Sequence, residues 1–500
     1  MADIIVSKKN ETSLYIDCEL GILYELQEKF SFFVEGYKFM PKFKAKMWDG
    51  TVKLLDVRFG TLPVGLYNEL VTHSTSLGYT VECKSNQYGA LNDKDDATYD
   101  DIEKYINGLN IHSKNQKVEI REYQIKAIFN CIKNQRQISV TPTGGGKSLI
   151  AYCLYRWYID HGKSHFMLVV PNLGLIKQMY NDFKDYSSHN NFDVEKETQI
   201  IAEGADKTIT KSLIICTWQS VFKQQSKWFN QLDVILADEA HQYKAEAVKG
   251  IFEKAVEVKY RFGITGSLDK STTNKMVLRG LIGEISQEKT TRDLIDEGFL
   301  SDININCILL KYGKESKKLV SPMEYHEELN FICTHTARNK FIRKLALSLK
   351  GNTLILFNFI SHGEELYADI KKNAINQECY LVCGKVEADE REEIRNLIQN
   401  ATTDTIALGS YGTCSTGINI PKIHNIIFAS PSKSVIRIMQ SVGRGLRKAD
   451  GKNILKLYDI SDAINTSKTS PNFAFSHFTE RLRIYVSEKH HYKIIEVKIE

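Results

Sequence analysis

The sequence predicts an α/β protein with two tandem lobes, each built on a parallel sheet, preceded by a small α+β domain. Short β-branched runs alternate with helical patterns over residues 112–288, as in HFMLVVP, SLIICTW and DVILAD. The same alternation returns after residue 289 in NTLILFN, ECYLVC, TIALGS and NIIFAS. Strands that alternate with helices form βαβ units, which build parallel sheets. A polar, acidic stretch from Ser85 to Asp101 separates the lobes from the first part of the chain, as a linker does.

Length sets the number of domains. The chain has 500 residues, too many for one hydrophobic core. We expect an α+β domain over 1–95, a linker and helix over 96–111, a first lobe over 112–288, a second lobe over 289–465 and a C-terminal helical extension over 466–500. The last segment contains a basic amphipathic helix and then alternating apolar positions that suit an added edge strand. We favour packing of this segment on the second lobe over contact with DNA.

The composition is that of a globular protein made and kept in the cytoplasm. The chain is 42% hydrophobic and 25% charged, with no apolar run long enough to cross a bilayer and no signal-peptide pattern at MADIIVSKKN. Ten cysteines are scattered without a CxxC pair, which fits a reducing compartment. The net charge of +5 is mild, so only local charge can indicate a nucleic-acid partner.

The segment from Phe32 to Arg58 is the most unusual part of the first domain. It interleaves basic and aromatic residues: Lys38, Lys42, Lys44, Lys46, Lys53 and Arg58 with Phe32, Phe33, Tyr37, Phe39, Phe43 and Trp48. Cations bind phosphates and exposed rings stack on bases, so the pattern suits a nucleic-acid-binding face. It equally suits rings that fill a small core beneath a solvated rim of lysines. Asp49–Gly50 predicts a hairpin turn between strands at Phe43–Trp48 and Thr51–Leu55.

The stretch Gln137–Ile150, QISVTPTGGGKSLI, indicates a strand, a glycine-rich turn and the start of a helix. Gly144–Gly146 permit backbone conformations that turn successive N–H groups toward phosphate oxygens. Lys147 adds a charge for the terminal phosphates of a nucleotide, and the Ser148 hydroxyl is placed to bind Mg²⁺ at the helix N-terminus. Thr141 stands where the full phosphate-loop pattern has glycine. The alternative interpretation is a flexible glycine turn before a helix.

A second motif, DVILADEAH, ends an apolar run with Asp238 and Glu239. The run predicts a buried strand, and open α/β sheets bind ligands at the carboxyl ends of their strands. Asp238 is suited to binding Mg²⁺ through water. Glu239 is suited to orienting or deprotonating the water that attacks the γ-phosphate. A DE pair at the end of a strand is otherwise ordinary surface chemistry.

Six motifs, in this order, resemble those of superfamily 2 helicases and translocases: TPTGGGKS at 141–148, TWQ at 217–219, DEAH at 238–241, TGS at 265–267, GTCSTGINIP at 412–421 and QSVGRGLRK at 440–448. With FSFFVEGYKF and WDGTVKLLD ahead of the lobes, the full-length plan resembles the phage UvsW helicase family, whose lobes are similar to those of XPB-type translocases. The resemblance implies two RecA-like lobes and an ATP- and Mg²⁺-dependent DNA helicase. It also implies remodelling of branched DNA without sequence preference, action as a monomer, and the host cytoplasm as location if the gene is phage-borne.

The resemblance assigns roles to single residues. ATP binding is assigned to Gln124, Thr143, Gly144, Gly145, Gly146, Lys147, Ser148, Gly417 and Asn419, with Gln124 reading the adenine. Mg²⁺ is assigned to Ser148 and Asp238, and coupling of hydrolysis to lobe movement to His241, Thr265 and Ser267. Contacts to the DNA backbone are assigned to Pro171, Asn172, Thr217, Gln219, Ser361, Ser410 and Thr416. For each of these contacts, a turn or capping role is an equal alternative.

Arg444 and Arg447 stand three residues apart, so on a helix they share one face. Guanidinium groups brought across a cleft neutralise charge on a transferred phosphoryl group, an effect of about 10³–10⁵ in rate. The alternative is a basic surface helix. Gln440 replaces the histidine of many relatives, as in XPB-like members, and joins Lys147 and the DEAH carboxylates in the catalytic set.

Three rival functions remain open. An RNA helicase has a related architecture, because these motor motifs do not distinguish DNA from RNA. The motor subunit of a restriction complex would need a nuclease, for which the only local hint is ExK at Glu82–Lys84. A nucleic-acid-binding scaffold with a degenerate ATPase is the third, and the intact motif residues argue against it.

Overall fold

A computed structural model describes residues 2–91, 93–243, 245–266, 271–383, 393–394, 396–398, 400–401, 403–416, 422–431, 454–467 and 470–499. The chain divides into two compact units. The first is Met1–Pro142 with Gly146–Glu288, and the second is Lys289–Glu500 with Thr143–Gly145. No helix among the described residues combines the length and apolar character needed to span a membrane.

The first unit begins with a small α+β domain. Its strands are β1 (Ile4–Lys8), β2 (Ser13–Cys18), β3 (Ser31–Phe33), β4 (Thr51–Lys53), β5 (Thr61–Pro63) and β6 (Val81–Lys84). Its helices are α1 (Leu20–Lys29), α2 (Pro41–Lys44) and α3 (Tyr67–Ser76). Four strands form one mixed sheet in the order β5-β2-β1-β6, and β3 pairs with β4 in a separate antiparallel ribbon. Alternate residues of β1 are fully buried, as expected of a sheet with one face on a core.

The rest of the first unit is a lobe built on a seven-stranded sheet in the order β11-β12-β10-β13-β14-β9-β15. After the short hairpin of β7 (His112–Ser113) and β8 (Gln116–Lys117), its strands are β9 (Arg136–Val140), β10 (Phe166–Val170), β11 (Thr198–Ile201), β12 (Leu213–Thr217), β13 (Val234–Asp238), β14 (Tyr260–Thr265) and β15 (Glu284–Ser286). Its helices are α4 (Tyr99–Gly108), α5 (Glu122–Asn134), α6 (Lys147–Asp160), α7 (Leu173–Tyr186), α8 (Val194–Glu197), α9 (Trp218–Val221), α10 (Ser226–Phe229), α11 (Ala245–Phe252) and α12 (Thr272–Leu281). Every neighbouring pair in the sheet is parallel.

The second unit has the same design. Its strands are β16 (Asp302–Lys311), β17 (Thr353–Phe357), β18 (Glu378–Val382), β19 (Thr405–Ser410), β20 (Asn425–Phe428), β21 (Ile454–Ala463) and β22 (His491–Lys498). Its helices are α13 (Thr291–Asp296), α14 (Lys314–Val320), α15 (Tyr325–Thr334), α16 (Thr336–Ser348), α17 (Ile360–Asn373), α18 (Tyr411–Thr416) and α19 (Phe473–Ser487). The seven strands are all parallel, in the order β18-β19-β17-β20-β21-β16-β22. The predicted fold class, two parallel-sheet lobes after an α+β domain, is confirmed.

Continuous apolar runs form the central strands because parallel strands are covered on both faces. Every residue of β10, β12 and β13 is buried in the first lobe, and every residue of β17 is buried in the second. The polar residues that follow such runs therefore lie at the carboxyl edge of each sheet.

The α+β domain is docked on the first lobe by buried contacts. Met276 of α12 belongs to the core of the small domain. The α12 side chain Arg279 pairs with Glu69 of α3 at 2.9 Å. Gly65 packs so closely that an added Cβ would collide with the Arg279 carbonyl oxygen. The small domain and the first lobe therefore share one packed interface.

The predicted hairpin at Asp49–Gly50 is wrong. The partner of β4 is β3, and the segment predicted as a strand, Phe43–Trp48, begins inside α2. Pro41 stands at the first position of α2, where its fixed φ favours a helix and its missing N–H costs nothing. Lys46, at φ 55°, then turns the chain back.

The C-terminal segment packs on the second lobe, as expected. Arg481 of α19 forms a fully buried ion pair with Asp459 of β21 at 2.8 Å. Glu328 of α15 accepts hydrogen bonds from the N–H groups of Phe473 and Ala474 at the start of α19. The chain then adds β22 beside β16, so the extension is a helix followed by the edge strand that the alternating pattern suggested.

Candidate nucleotide site and basic groove

The glycine-rich loop joins β9 to α6 in the first lobe. Its start is held at the sheet because the Thr141 N–H donates to the Thr265 carbonyl at 2.8 Å. Gly144 and Gly146 have φ of 84° and 88°, in the left-handed region that side chains disfavour. Helix α6 begins at Lys147, so its unpaired N–H groups face the loop, as in phosphate-binding loops.

Gln124 of α5 contacts this loop. The side chain is only 3% exposed, and its Oε1 accepts the Arg121 N–H at 3.0 Å. Its amide nitrogen occupies the space that a Cβ on Gly146 would need. A glutamine predicted to read adenine is therefore packed against the phosphate loop rather than pointing into solvent.

The DEAH carboxylates stand at the carboxyl end of β13, in the middle of the sheet. Lys147 reaches across the loop to Glu239, with 2.5 Å between Nζ and Oε1. The other Glu239 oxygen lies 3.4 Å from His241 Nδ1. Glu239 itself has φ 50°, in the left-handed region that few residues with a side chain adopt.

The two neighbouring carboxyl groups have pKa values moved in opposite directions. Burial, reinforced by the negative charge of Glu239, raises the pKa of Asp238 to about 7, against the opposing effect of Lys147. Burial also acts to raise the pKa of Glu239, but the charges of Lys147 and then His241 outweigh it and leave this pKa below its ordinary value. Of the two carboxyl groups, Glu239 is therefore the one that is ionised and able to accept a proton.

Asp238 has the environment that a cation requires. Its Oδ1 is buried and has no hydrogen-bond partner among the described residues. An uncompensated buried carboxylate oxygen is costly unless a cation satisfies it. No cluster of three or more His, Cys, Asp or Glu side chains in the described part of the chain forms a metal cage. In proteins, Mg²⁺ is commonly bound by one or two carboxylates together with substrate phosphates and water.

The predicted coupling residues His241 and Thr265 are in contact. The Nδ1 atom of His241 is hydrogen-bonded to the Thr265 hydroxyl, and both side chains are buried.

Tyr243 is a residue that the sequence analysis missed. Its hydroxyl lies 2.7 Å from the Asp238 carbonyl and 2.8 Å from the Val169 carbonyl, so it ties the ends of β13 and β10 together. No local pattern marks a tyrosine for such a role.

Ser148 makes a contact that was not expected. Its Oγ lies 2.9 Å from the hydroxyl of Tyr186, at the C-terminal end of α7.

Six predicted site residues lie outside the described residues: Ser267, Gly417, Asn419, Gln440, Arg444 and Arg447.

The predicted DNA-contact residues of the first lobe divide into two groups. Asn172 caps α7 by accepting the Leu175 N–H at 3.1 Å, and Thr217 is 5% exposed with its hydroxyl 2.8 Å from that of Ser220. Asn172 therefore caps a helix and Thr217 makes a buried side-chain hydrogen bond, and contact of either side chain with DNA stays a prediction. Gln219 is exposed and donates to the Pro171 carbonyl at 3.4 Å, so it remains at the surface.

In the second lobe, Ser410 also has a capping role. Its hydroxyl accepts the Thr413 N–H at 3.2 Å at the start of α18. Ser361 is exposed in the first turn of α17, after the carboxyl end of β17. Thr416 is the last residue of α18, and its side chain lies outside the described part of the chain.

The basic segment of the small domain surrounds an open cavity of about 970 Å³, which we call the basic groove. It is lined by Lys38, Phe43, Lys44, Lys46, Met47, Trp48, Asp49, Thr51 and Lys53. Lys42 is exposed nearby but does not line it. Phe39 and Met47 are each 80% exposed and Phe33 is 60% exposed, so the alternative in which the rings fill a small core does not hold for Phe33 and Phe39. Phe32 does pack partly buried against the core.

Comparison with known proteins matches three segments of the chain. Residues 3–84 match the family described as "DNA helicase UvsW, N-terminal". Residues 117–270 match "Type III restriction enzyme, res subunit", and residues 337–449 match "Helicase conserved C-terminal domain". The segments fall on the small domain, the first lobe and the second lobe.

Relatives with similar sequence are helicases and translocases by name. The ATP-dependent DNA helicase uvsW of Enterobacteria phage T4 is 31% identical over 513 residues, covering 99% of this chain and 100% of the relative. The DNA 3'-5' translocase XPB2 of Sulfurisphaera tokodaii is 21% identical over 392 residues, covering 71% of this chain and 84% of the relative. The crystal structure of T4 UvsW is 30% identical, covers 100% of both chains and superimposes with a TM-score of 0.53. On this full-length similarity, the chain belongs to the UvsW family of superfamily 2 DNA helicases.

Proposed function

We propose that this protein is an ATP-dependent DNA helicase or translocase that remodels branched DNA, by branch migration, fork regression and duplex unwinding, in recombination, repair or replication restart. The observation that carries the proposal is that the contacting side chains Lys147 and Glu239 lie in the same compact unit as an exposed basic groove. An ATPase coupled to a DNA-binding surface is the minimum machinery for such work.

Hydrolysis would use the side chains at the carboxyl end of β13. Lys147 would leave its 2.5 Å contact with Glu239 to bind the terminal phosphates of ATP. Glu239, still a carboxylate, would then orient the attacking water and accept its proton. Mg²⁺, held by Ser148 and Asp238, would neutralise charge on the phosphate oxygens. Gln124, already packed against the loop, would bind the adenine.

Coupling to movement would start at the γ-phosphate end of this site. Glu239, His241 and Thr265 form a connected set of contacts that reaches the end of β14. A change at Glu239 on hydrolysis would be transmitted through this set toward Ser267. Arg444 and Arg447 would complete the site from the second lobe, so that ATP binding favours closure and hydrolysis permits reopening.

The basic groove would hold the DNA backbone. Its lysines attract phosphates of any sequence, and the exposed rings beside it offer faces on which unpaired bases stack. This chemistry selects the shape of a branch rather than its sequence. Residues 1–95 would therefore act as the branched-DNA-binding domain, residues 112–288 and 289–465 as the two motor lobes, and the protein would work as a monomer.

The test is strand rearrangement on a synthetic four-way junction and on a forked duplex, with the wild-type chain and Glu239→Gln. We expect ATP-dependent branch migration and fork regression with the wild type and neither with the variant, which cannot accept the proton from water. Hydrolysis of ATP without rearrangement of either substrate would contradict the remodelling function.

A further inference from the structure

We propose that the Tyr186 hydroxyl is a positioning group for Ser148, orienting this serine to bind Mg²⁺. The inference rests on the proposed ATPase function, because it concerns how the same nucleotide site holds its cation. It adds a residue that lies in none of the helicase motifs and belongs to a different helix from the phosphate loop.

The contact joins two packed helices. Ser148 is in the first turn of α6 and Tyr186 is the last residue of α7, and their hydroxyl oxygens are 2.9 Å apart. This is an ordinary hydrogen-bond distance between two hydroxyl groups. The contact is partly buried, so water competes with it less than at an open surface.

The end of α7 is fixed by its surroundings. The Tyr186 ring packs against Tyr152 with ring centroids 5.6 Å apart. The preceding residue, Asp185, accepts hydrogen bonds from the Ser113 hydroxyl and the Lys114 N–H of the β7–β8 hairpin. A hydroxyl on so constrained a ring can hold its partner in one rotamer.

The hydrogen-bonding capacity of the Ser148 hydroxyl explains how this contact would help to bind Mg²⁺. A serine hydroxyl has one proton to donate and two lone pairs. When the oxygen offers a lone pair to Mg²⁺, its proton must point away from the cation. The Tyr186 oxygen, 2.9 Å away, is in range to accept that proton, which would leave a serine lone pair free for the metal. Groups that orient metal ligands in this way typically contribute 10–100-fold to metal affinity.

The competing explanation is that the two hydroxyl groups merely pack α6 against α7. Tyr152 provides a matched control for this explanation, because it is also a tyrosine at the α6–α7 interface. Its hydroxyl accepts from Arg156 at 3.1 Å and from Asn190 at 3.3 Å, and no described contact joins it to Ser148. Tyr152→Phe removes a hydroxyl from the same interface without affecting the serine.

The experiment measures the affinity of a fluorescent ADP, mant-ADP, in excess MgCl₂ and in EDTA. The ratio of the two affinities reports the contribution of Mg²⁺. We expect Tyr186→Phe to reduce this ratio about 10-fold while its affinity in EDTA stays unchanged. Tyr152→Phe should keep the wild-type ratio, and in a Ser148→Ala background Tyr186→Phe should have no further effect.

Three results would overturn the inference: a wild-type ratio in Tyr186→Phe, an additive loss in the double variant, or a higher ratio in Tyr186→Phe, which would mean that the hydroxyl competes with the cation. Failure of the proposed function gives a different result. In that case the wild-type chain itself would show no Mg²⁺-dependent gain in mant-ADP binding.

Discussion

Removing charge from the basic groove should change how DNA binding depends on salt. Lys44 and Lys46 line the groove, are exposed, and form no ion pair among the described residues, whereas Lys53 pairs with Asp49 at 3.4 Å. The two lysines are therefore free of a competing carboxylate in the described part of the chain and able to replace counterions on DNA phosphates. The variant is Lys44→Gln with Lys46→Gln, which keeps side-chain length and polarity but removes both charges.

The magnitude follows from counterion release. Each phosphate neutralised on duplex DNA contributes about 0.9 to the steepness of the slope of log affinity against log salt concentration. The slope of the double variant should therefore be shallower than that of the wild type by about 1.8. Between about 50 and 200 mM salt, wild-type affinity should then fall about 12-fold more than that of the variant. Stability should be unchanged, because exposed surface substitutions rarely exceed about 0.5 kcal/mol.

The assay is fluorescence anisotropy of a labelled four-way junction across that salt range. Lys317 and Lys318, exposed on α14 of the second lobe, supply a control with the same change in net charge. Lys317→Gln with Lys318→Gln should keep the wild-type slope. An unchanged slope in the groove variant, or an equal loss in the control, would refute the assignment of the groove and return its lysines to a solvated rim.

Three further substitutions test the nucleotide site and the packing. Glu239→Gln should lower ATP turnover by about 10²–10⁴-fold while mant-ATP still binds, and near-normal turnover would reject Glu239 as the base. Gly65→Ala should cost about 1–3 kcal/mol in urea unfolding because its Cβ meets a backbone carbonyl of α12, whereas Gly21→Ala, which has open space, should be near neutral. Equal effects would contradict the docked interface. Arg481→Met should cost about 3–5 kcal/mol by leaving Asp459 buried without its cation, and an unchanged unfolding midpoint for the second lobe would contradict this.

The parts of the fold and site that could be predicted are those that a local pattern determines. A run such as VILAD is short, apolar up to its final aspartate and begins with two β-branched residues, as a strand buried on both faces does, so its strand was predicted. Gly144 and Gly146 occupy conformations that a side chain disfavours, so the loop is visible in the residue types themselves. Asp238 and Glu239 follow directly from their place at the end of a buried strand.

The remaining features depend on partners that are distant in the chain. Ser148 and Tyr186 are 38 residues apart, and no spacing rule links them. Asp49–Gly50 favours a hairpin by its own conformational preference, but the helix that begins at Pro41 extends into the segment that the hairpin needed as a strand. Asn172 and Thr217 illustrate a second limit. A short polar side chain after a strand suits a helix cap and a phosphate contact equally well, so neither the cap formed by Asn172 nor the Thr217–Ser220 hydrogen bond follows from the residue type.

The most direct test of the central claim is the rate of ATP hydrolysis by the wild-type chain with no nucleic acid, single-stranded DNA, duplex DNA, a forked duplex, a four-way junction and RNA. We expect a low rate without nucleic acid, clear stimulation by DNA with the greatest effect from the branched substrates, and no comparable stimulation by RNA. Stimulation by RNA alone would contradict the assignment of this protein as a motor that remodels branched DNA.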